Sequence, residues 1–484
     1  MSDLTDLSVT EMRAGLAGGK FSSRELVQAA LDQISKFDAA LHAFLHIASE
    51  SALKQADEAD QNPKPDRPLD GIPIAIKDVL MVEGLPCTCG SKILEGFIAP
   101  YTATSVQRLQ EAGAIIIGKT NTDEFAMGSS TENSAFGATH NPWDGARVPG
   151  GSSGGSATAV AARYVPAALG TDTGGSVRQP ASLCGVTGLK TTYGRVSRYG
   201  LAAFGSSLDT VGALGRTADD VALIFSIMAG HDERDATSAN QPVPHTNFEA
   251  DVVRALKVGV PKEYFISGIQ PEVAQRTRAA IETLKDLGAE IREISLPHTE
   301  YALPVYYIIA PAEASANLAR YDGIRYGPRV QADNLWDVFF KTRGQKFGPE
   351  VERRIMLGTY ALSAGYYDAY YGQAQKVRTL VQRDFEEAFR EVDVIAAPTA
   401  PTTAFKIGEH VNDPLAMYLE DVFTLPASLA GVPGISFNVG FDENHLPIGL
   451  QLIGPHFRED LLLQVTHAYQ QATDWHKKQP KLAR

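Results

Sequence analysis

Three residues of the chain, Lys77, Ser152 and Ser176, have the types and settings that covalent catalysis requires. Lys77 closes an apolar run that begins at residue 71, and such a run with β-branched residues predicts a short buried strand. Burial disfavours the charged form of a lysine and lowers its pKa from the usual value of about 10.4. A pKa of about 7 requires a closed site, where the neutral amine is a competent general base.

The two serines lie in two glycine-rich runs, residues 150–156 and residues 170–176. Runs of this composition are typical of flexible linkers. Here apolar segments lie between and beyond the two runs, and close approach of backbone to a ligand requires glycine. We therefore interpret both runs as catalytic or binding loops rather than linkers.

The second run predicts a nucleophile beside an oxyanion hole. Ser176 ends the run, and the amides of Thr173, Gly174 and Gly175 precede it with little side-chain bulk. Backbone amides fixed in a turn stabilise the oxyanion of a tetrahedral intermediate. A helix that starts just after Ser176 would add the positive end of its dipole. In this interpretation Ser176 is the nucleophile and needs a base.

Ser152, in the first run, is the candidate for the proton relay. A hydroxyl both donates and accepts hydrogen bonds, so Ser152 can bridge Lys77 and Ser176 and then protonate the leaving amine. The alternative is that Ser152 caps a helix predicted from Ser156 onward. Residue types alone leave both interpretations open.

Two familiar motifs match the sequence without their structural context. Residues 113–120 fit the P-loop pattern, but the four variable residues are Ala-Ile-Ile-Ile, which favour a strand over a phosphate-binding loop. Residues 150–154 fit the nucleophile elbow of α/β-hydrolases, which requires an apolar strand immediately before it. The preceding residues 144–149 contain Gly and Pro and do not predict a buried strand.

Alternating strand and helix patterns predict an α/β fold around a mostly parallel or mixed sheet. Strands are predicted at 71–79, 114–117, 165–169, 257–260, around 290–296, 435–441 and 450–453. Helices are predicted at 104–112, at 157–162, from 271 to before the strand around 290–296, and at 459–472. Ser8 with Glu11 and Ser22 with Glu25 have the spacing of capping boxes. The proline-rich stretch near residues 60–70 predicts a helical N-terminal segment, 1–65, packed on a core of 66–484, one domain overall.

Composition limits the function classes. Of 484 residues, 44% are hydrophobic and 21% charged, which is typical of a packed globular protein. The net charge of −13 disfavours binding of a nucleic-acid backbone by this chain alone. We expect no secretory signal and no membrane span. Three cysteines, Cys87, Cys89 and Cys184, form neither a disulfide framework nor a complete zinc pattern, so we expect a cytoplasmic protein without a metal.

Three motifs together resemble the amidase signature family. They are GIPIAIKD at 71–78, PGGSSGGSA at 149–157 and GTDTGGSVRQPAS at 170–182, and the resemblance extends over nearly the whole chain. It implies one large α/β domain, a mixed sheet covered by helices. It also implies a Ser–cis-Ser–Lys triad in which Ser176 is the acyl-forming nucleophile, Ser152 the cis-serine and Lys77 the base. The amides from Thr173 to Ser176 then form the oxyanion hole.

Further stretches, at 121–137, 314–327, 353–371 and 419–436, resemble the branch of this family that liberates ammonia from glutamine for tRNA-dependent amidation. The resemblance implies a heterotrimer. A partner, the B subunit, receives the ammonia through a channel and uses ATP and Mg to amidate Glu attached to tRNA, and a small C subunit ties the other two together. It implies no cofactor in this chain and a charged tRNA held mainly by the partner. Whether that tRNA is the Gln type, the Asn type or both is open.

Glutamine is zwitterionic, so its binding requires a cation for the carboxylate and an anion for the ammonium. The fork of an arginine suits the carboxylate, and the resemblance implies Arg354 and Asp421 for the two roles. Arg354 also lies in a charged cluster with Glu350, Glu352 and Arg353, which is equally typical of a solvated helix face. The remaining candidates for the pocket lining are Met127 and either Tyr306 or Tyr307.

Two alternatives remain. A stand-alone amidase acting on small or aryl amides would use the same triad but would need neither the Arg/Asp pair nor a partner. A non-enzymatic scaffold would use the Gly/Ser loops only to bind another protein.

Overall fold

A mixed β-sheet, with eleven strands among the described residues, forms the centre of the protein. The computed structural model describes residues 4–249, 251–265 and 268–482. The strands are β1 Phe44–Ile47, β2 Pro73–Lys77, β3 Ile115–Thr120, β4 Ala167–Asp172, β5 Thr187–Lys190, β6 Thr210–Gly215, β7 Lys257–Pro261, β8 Glu290–Ile294, β9 Val394–Pro398, β10 Gly434–Phe441 and β11 Pro447–Ile453. Their order across the sheet is β1-β3-β2-β4-β6-β5-β10-β11-β9-β7-β8. Strands β3, β2 and β4 are mutually parallel, as are β9, β7 and β8, and the other pairings are antiparallel.

Helices cover both faces of this sheet. Within the described residues they are α1 Val9–Ala17, α2 Ser23–Leu41, α3 Ser49–Gln61, α4 Thr104–Glu111, α5 Gly154–Ala161, α6 Arg178–Cys184, α7 Ala218–Met228, α8 Pro271–Asp286, α9 Ala302–Asn317, α10 Leu335–Lys346, α11 Pro349–Ala361, α12 Gln373–Ala388, α13 Pro414–Leu419, α14 Leu425–Ala430 and α15 Glu459–Ala472. Both predicted capping boxes form, at Ser8 with Glu11 and at Ser22 with Glu25. No helix in the described ranges is long and apolar enough to cross a membrane.

Strand β2 determines the face of the sheet on which the Lys77 side chain lies. Ile74 and Ile76 belong to a hydrophobic core that includes residues of α4 and α7, whereas Ala75 belongs to a second core that includes residues of α5. Because side chains alternate along a strand, Lys77 points to the same face as Ala75, toward α5. The glycine-rich loop that precedes α5 therefore faces the lysine.

The predicted α/β class with a mixed sheet covered by helices is confirmed. The strand prediction at 114–117 is confirmed by β3, which runs on to Thr120 and leaves no P-loop. The predicted strand at 165–169 lies at Ala167–Asp172, because Thr171 and Asp172 continue the pairing with β6. The helix predicted at 157–162 begins three residues earlier, at Gly154.

The N-terminal segment was predicted to be helical, but it also contains a strand. Residues Phe44–Ile47 pair antiparallel with β3 and add an edge to the sheet. Four residues are too few to show a period in the sequence, so this strand is defined by its partner rather than by its own pattern.

Candidate active site

Lys77 lies at the carboxyl end of β2 and is fully buried. Its Nζ is 2.7 Å from Ser152 Oγ, 2.9 Å from Ser153 Oγ and 2.9 Å from Thr171 Oγ1. Burial lowers the pKa of Lys77 to about 7, although the negative charge of Asp123 opposes the change. The amine is therefore partly neutral near pH 7, and its single lone pair can then accept a hydrogen bond from one neighbouring hydroxyl, such as that of Ser152.

Ser152 lies in the loop that leads into α5, after a cis peptide bond between Gly151 and Ser152. The loop fits tightly: a Cβ on Gly150 would lie 2.3 Å from Gln179 Oε1, and one on Gly151 would lie 2.2 Å from Asp123 Oδ2. Gln179 Oε1 also accepts a hydrogen bond from the Gly151 amide at 3.0 Å. The glycines are thus required by close packing on two polar side chains.

The alternative that Ser152 caps the following helix is wrong. Helix α5 begins at Gly154, its N-cap residue is Ser153, and the Gly154 amide donates to Thr131 Oγ1 at 3.1 Å rather than to Ser152. The Ser152 hydroxyl is instead directed to Lys77 Nζ.

Ser176 lies in the second glycine-rich loop, between β4 and α6, and is 7% exposed. In the described part of the chain its Oγ makes no hydrogen bond, whereas its carbonyl accepts one from the Ser153 amide at 3.1 Å. The two glycine-rich loops are thereby joined through the backbone. The structure brings Lys77 and Ser152 into side-chain contact and holds Ser176 next to them through this link.

The glycines that precede Ser176 pass between large neighbours. A Cβ on Gly174 would lie 2.8 Å from the Tyr306 ring, and one on Gly175, where φ is +147°, would lie 2.2 Å from Thr424 Oγ1. The backbone of this loop therefore has no room for side chains. Its amides remain the groups with which the loop can contact a bound molecule.

A buried ion pair joins the two ends of this loop. Asp172 precedes the loop and Arg178 follows it, and both side chains are fully buried. Arg178 Nε and Nη2 each lie 3.1 Å from an Asp172 oxygen, and the Val177 amide donates to the same carboxylate at 3.2 Å. The arginine holds the pKa of Asp172 below its usual value. Sequence reasoning missed this pair, although an acid and a base flanking a glycine-rich run are a visible signal.

Arg354 is buried on α11, at 2% exposure, so the alternative of a solvated helix face is wrong. Its Nε donates to Glu350 Oε1 at 2.7 Å. The guanidinium lies 5.2 Å from the ring centre of Tyr307, 5.4 Å from that of Tyr418 and 5.7 Å from that of Phe204. Among the described residues neither Nη atom donates a hydrogen bond, so both remain available for a ligand.

Asp421 is buried beside the oxyanion loop. Its Oδ2 accepts a hydrogen bond from Ser129 Oγ. Its Oδ1 has no hydrogen-bond partner in the described ranges and lies 3.1 Å from the position that a Cβ on Gly175 would take. Burial raises the pKa of Asp421 to about 8. A cation bound at Oδ1 would satisfy this oxygen and favour the carboxylate form.

The tyrosines and the methionine lie around these groups. Tyr306 is next to Gly174, and its ring meets that of Tyr307 edge-on at 5.1 Å. Tyr307 in turn stacks on Tyr418 at 3.8 Å between ring centres. Met127 is fully buried in the same hydrophobic cluster as Tyr306. Both predicted tyrosines therefore belong to the wall that extends from the oxyanion loop to Arg354.

A cavity of about 100 Å³ adjoins this wall. Its lining includes Arg354, Tyr418, Ser130 and Gly128. Elsewhere, Cys87, Cys89 and Cys184 are buried free thiols, and the described residues contain no group of side chains arranged to hold a metal ion.

The sheet, the two glycine-rich loops and the buried lysine are those of an amidase. A sequence model of the amidase family matches residues 25–463, and the chain belongs to this family.

Within the family, the chain is similar over its full length to proteins named as one subunit of a larger enzyme. The A subunit of glutamyl-tRNA(Gln) amidotransferase from Chloroflexus aurantiacus is 59% identical over 486 residues, covering 100% of both chains. The crystal structure of the A subunit of glutamyl-tRNA(Gln) amidotransferase from Thermotoga maritima has a TM-score of 0.83 and 42% identity, covering 100% of this chain and 99% of that one. The structure of 6-aminohexanoate cyclic dimer hydrolase has a TM-score of 0.85 but only 28% identity, covering 100% of both chains.

Proposed function

We propose that this chain is the glutamine-hydrolysing A subunit of a tRNA-dependent amidotransferase. It releases ammonia from glutamine, and its partner uses that ammonia to convert Glu-tRNA(Gln) to Gln-tRNA(Gln). The names of its full-length relatives support this assignment over that of a stand-alone amidase. The same activity on Asp-tRNA(Asn) is compatible with the site, because the tRNA is not bound here.

The observation that carries the proposal is a buried guanidinium and a buried carboxyl group that both have unused hydrogen-bonding capacity. Both Nη atoms of Arg354 and Oδ1 of Asp421 lack partners in the described part of the chain, and both side chains are buried. Leaving buried polar atoms without hydrogen bonds is costly. The carboxylate and ammonium of an amino acid would satisfy both. A small apolar or aryl amide would satisfy neither, which disfavours the stand-alone amidase.

Acylation uses the hydrogen bond between Lys77 and Ser152, with Ser176 held next to them by the backbone link between the two loops. Neutral Lys77 takes the proton of the Ser152 hydroxyl while Ser152 takes the proton of Ser176, and Ser176 Oγ attacks the side-chain amide carbon of glutamine. The amides from Thr173 to Ser176 stabilise the oxyanion. The C–N bond then breaks, Lys77 returns the proton through Ser152 to the leaving nitrogen, and ammonia departs from a glutamyl ester on Ser176.

Deacylation uses the same groups in reverse. A water molecule gives a proton to Ser152 and, through it, to Lys77 as its oxygen attacks the ester carbon. Collapse of the second tetrahedral intermediate breaks the bond to Ser176 Oγ, which regains its proton from Ser152. Glutamate leaves and the free enzyme is restored.

The partners follow from the reaction. Ammonia must reach an amidating centre before it is protonated in bulk water, so we propose docking on a B subunit, with a small C subunit completing a heterotrimer. ATP and Mg belong to the B subunit, where the tRNA-bound carboxylate is activated. The net charge of −13 fits a chain that leaves the tRNA to its partner. Because charged tRNA is the acceptor, we propose a cytoplasmic location.

The test is co-expression of the chain with candidate B and C subunits. Glutamate and ammonia formation are measured with and without ATP and charged tRNA, for the wild-type chain and for Ser176→Ala. We expect the wild-type complex to hydrolyse glutamine and amidate the tRNA, and the variant to do neither with glutamine as donor. Glutamine hydrolysis retained in Ser176→Ala would refute the assignment of the nucleophile. A failure of the wild-type protein to form an adduct with a fluorophosphonate would instead favour a scaffold.

A further inference from the structure

The segment 204–209 lies between the two halves of the candidate site, and one buried carboxylate organises it. Asp209 Oδ1 accepts a hydrogen bond from Thr173 Oγ1 at 2.7 Å and another from the Gly205 amide at 3.0 Å. Its Oδ2 accepts one from the Phe204 amide at 2.9 Å. Asp209 is 3% exposed and Thr173 is 2% exposed. The carboxylate thus fixes both its own loop and a residue of the oxyanion loop.

The other end of the segment reaches the proposed carboxylate anchor. The Phe204 ring is 2% exposed, and its centre lies 5.7 Å from Cζ of Arg354. A guanidinium is attracted to an aromatic ring at this distance. The Phe204 carbonyl is held separately, by Asn317 Nδ2 at 3.1 Å. Loss of the Asp209 carboxylate would therefore release the amide of Phe204, whose ring contacts Arg354, as well as the hydroxyl of Thr173.

The segment has little freedom to compensate for a lost contact. A Cβ on Gly205 would lie 3.2 Å from the Thr173 methyl group. The Ser207 amide donates to Glu313 Oε2 at 2.8 Å, and Arg378 donates to Ser207 Oγ and O at 2.7 and 2.8 Å. Helices α9 and α12, which carry Glu313 and Arg378, thus hold the segment from its outer side.

We propose that Asp209 is a positioning residue for glutamine hydrolysis, because it fixes Thr173 in the oxyanion loop and Phe204 against Arg354. The proposal rests on the function assigned above. Asp209 does not contact the substrate. Through Thr173 it keeps a backbone amide aimed at the developing oxyanion, and through Phe204 it keeps the guanidinium in place. Removing the charge should therefore lower kcat and raise KM together.

The first test is Asp209→Asn in the full chain, co-expressed with the B and C subunits. We expect kcat for glutamine to fall about 10- to 100-fold, as befits the loss of one hydrogen bond to a charged group that acts on the transition state. Labelling of Ser176 by a small neutral fluorophosphonate, which needs no carboxylate anchor, should slow in parallel with kcat. An unchanged kcat and labelling rate would overturn the proposal.

Asp220→Asn is the matched control. Asp220 is also a buried carboxylate that accepts a backbone hydrogen bond, from the Val9 amide at 2.8 Å, and burial raises the pKa of both carboxyl groups to about 6. Its contacts are with the N-terminal helix and with Thr217 and Arg216, none of which belongs to the site. We expect this variant to unfold at a lower temperature but to keep the wild-type kcat and KM. An equal loss of kcat in both variants would show a general stability effect and would overturn the proposal.

Thr173 provides a second test that does not depend on the folding of Asp209→Asn. Thr173→Ser keeps the hydroxyl and should keep most of the activity, whereas Thr173→Val removes it and should reproduce the loss in kcat. The double variant with Asp209→Asn should be no slower than the slower single variant, because both break the same link. Equal rates for Thr173→Ser and Thr173→Val would overturn the proposal. If the wild-type complex hydrolyses no glutamine, the proposed function fails, while the labelling rates still decide the role of Asp209.

Discussion

The Ser153 amide donates a hydrogen bond to the Ser176 carbonyl at 3.1 Å, and this contact joins the two glycine-rich loops of the site. Ser153 Oγ also lies 2.9 Å from Lys77 Nζ. One residue therefore contacts both the proposed base and the backbone of the proposed nucleophile. This arrangement aligns the loops before any substrate binds, which reduces the reorganisation that the reaction requires.

Replacing Lys77 with Met should remove the base while filling its buried space. We expect the rate of Ser176 labelling by a neutral fluorophosphonate to fall by a factor of about 10² to 10⁴, the usual contribution of a general base. Lys190→Met is the matched control. Lys190 is also fully buried, and burial lowers its pKa to about 7, but its Nζ donates to backbone carbonyls and to no serine. Comparable losses in both variants would contradict a specific role for Lys77.

The pH dependence of acylation should report the titration of Lys77. Burial depresses its pKa to about 7, so the neutral, proton-accepting form is lost as the pH falls through 7. We expect the single-turnover acylation rate to be half-maximal near pH 7 and to fall about tenfold for each further pH unit. The measurement is the rate of Ser176 labelling across the pH range in which the protein remains folded. A rate that is flat from pH 6 to 9 would show that Lys77 does not titrate in this step.

Arg354→Lys should impair glutamine binding although the charge is kept. A lysine cannot reproduce the two-pronged contact of a guanidinium with a carboxylate. We expect KM for glutamine to rise at least tenfold, measured as glutamate formation by the complex. Arg353→Lys is the control, because Arg353 is adjacent in sequence but its side chain is 41% exposed. A rise in KM limited to Arg353→Lys would place the carboxylate elsewhere.

The triad residues could be predicted from the sequence because two glycine-rich runs and a strand-ending lysine are local signals. The residues that support them were not predictable: Asp123 comes from a distant segment, and Gln179, although close to Ser176 in the chain, acquires its contact with the Gly151 amide only when the chain folds. Three buried strands, β5, β6 and β9, were also missed. Strands β5 and β6 contain Gly and Thr and are defined by their neighbours rather than by their own propensity, whereas β9, Val-Ile-Ala-Ala-Pro, is too short to show a period.

Breaking the ion pair of Asp172 with Arg178 should destabilise the protein more than any surface change. Arg178→Met leaves Asp172 buried without its charge partner, and removal of one member of a buried pair costs about 3–5 kcal/mol. The free energy of unfolding in urea measures this loss. Arg292→Met is the control, because its pair with Glu290 is exposed and screened by solvent, so its loss should change the free energy of unfolding little. Losses of similar size in the two variants would contradict a stabilising role for the buried ion pair of Asp172 with Arg178.

Glutamine binding should release a proton from Asp421. Burial raises the pKa of this carboxyl group to about 8 in the free protein, so at pH 7 most molecules carry it protonated. A bound ammonium favours the carboxylate and lowers that pKa, so binding at pH 7 expels a proton, and affinity should increase as the pH rises toward 8. Calorimetry of glutamine binding to Ser176→Ala, in buffers with different ionisation enthalpies, measures the proton released. Asp421→Asn on the same background should abolish both the release and the pH dependence of affinity. Binding without proton release would show that the ammonium is held by another group.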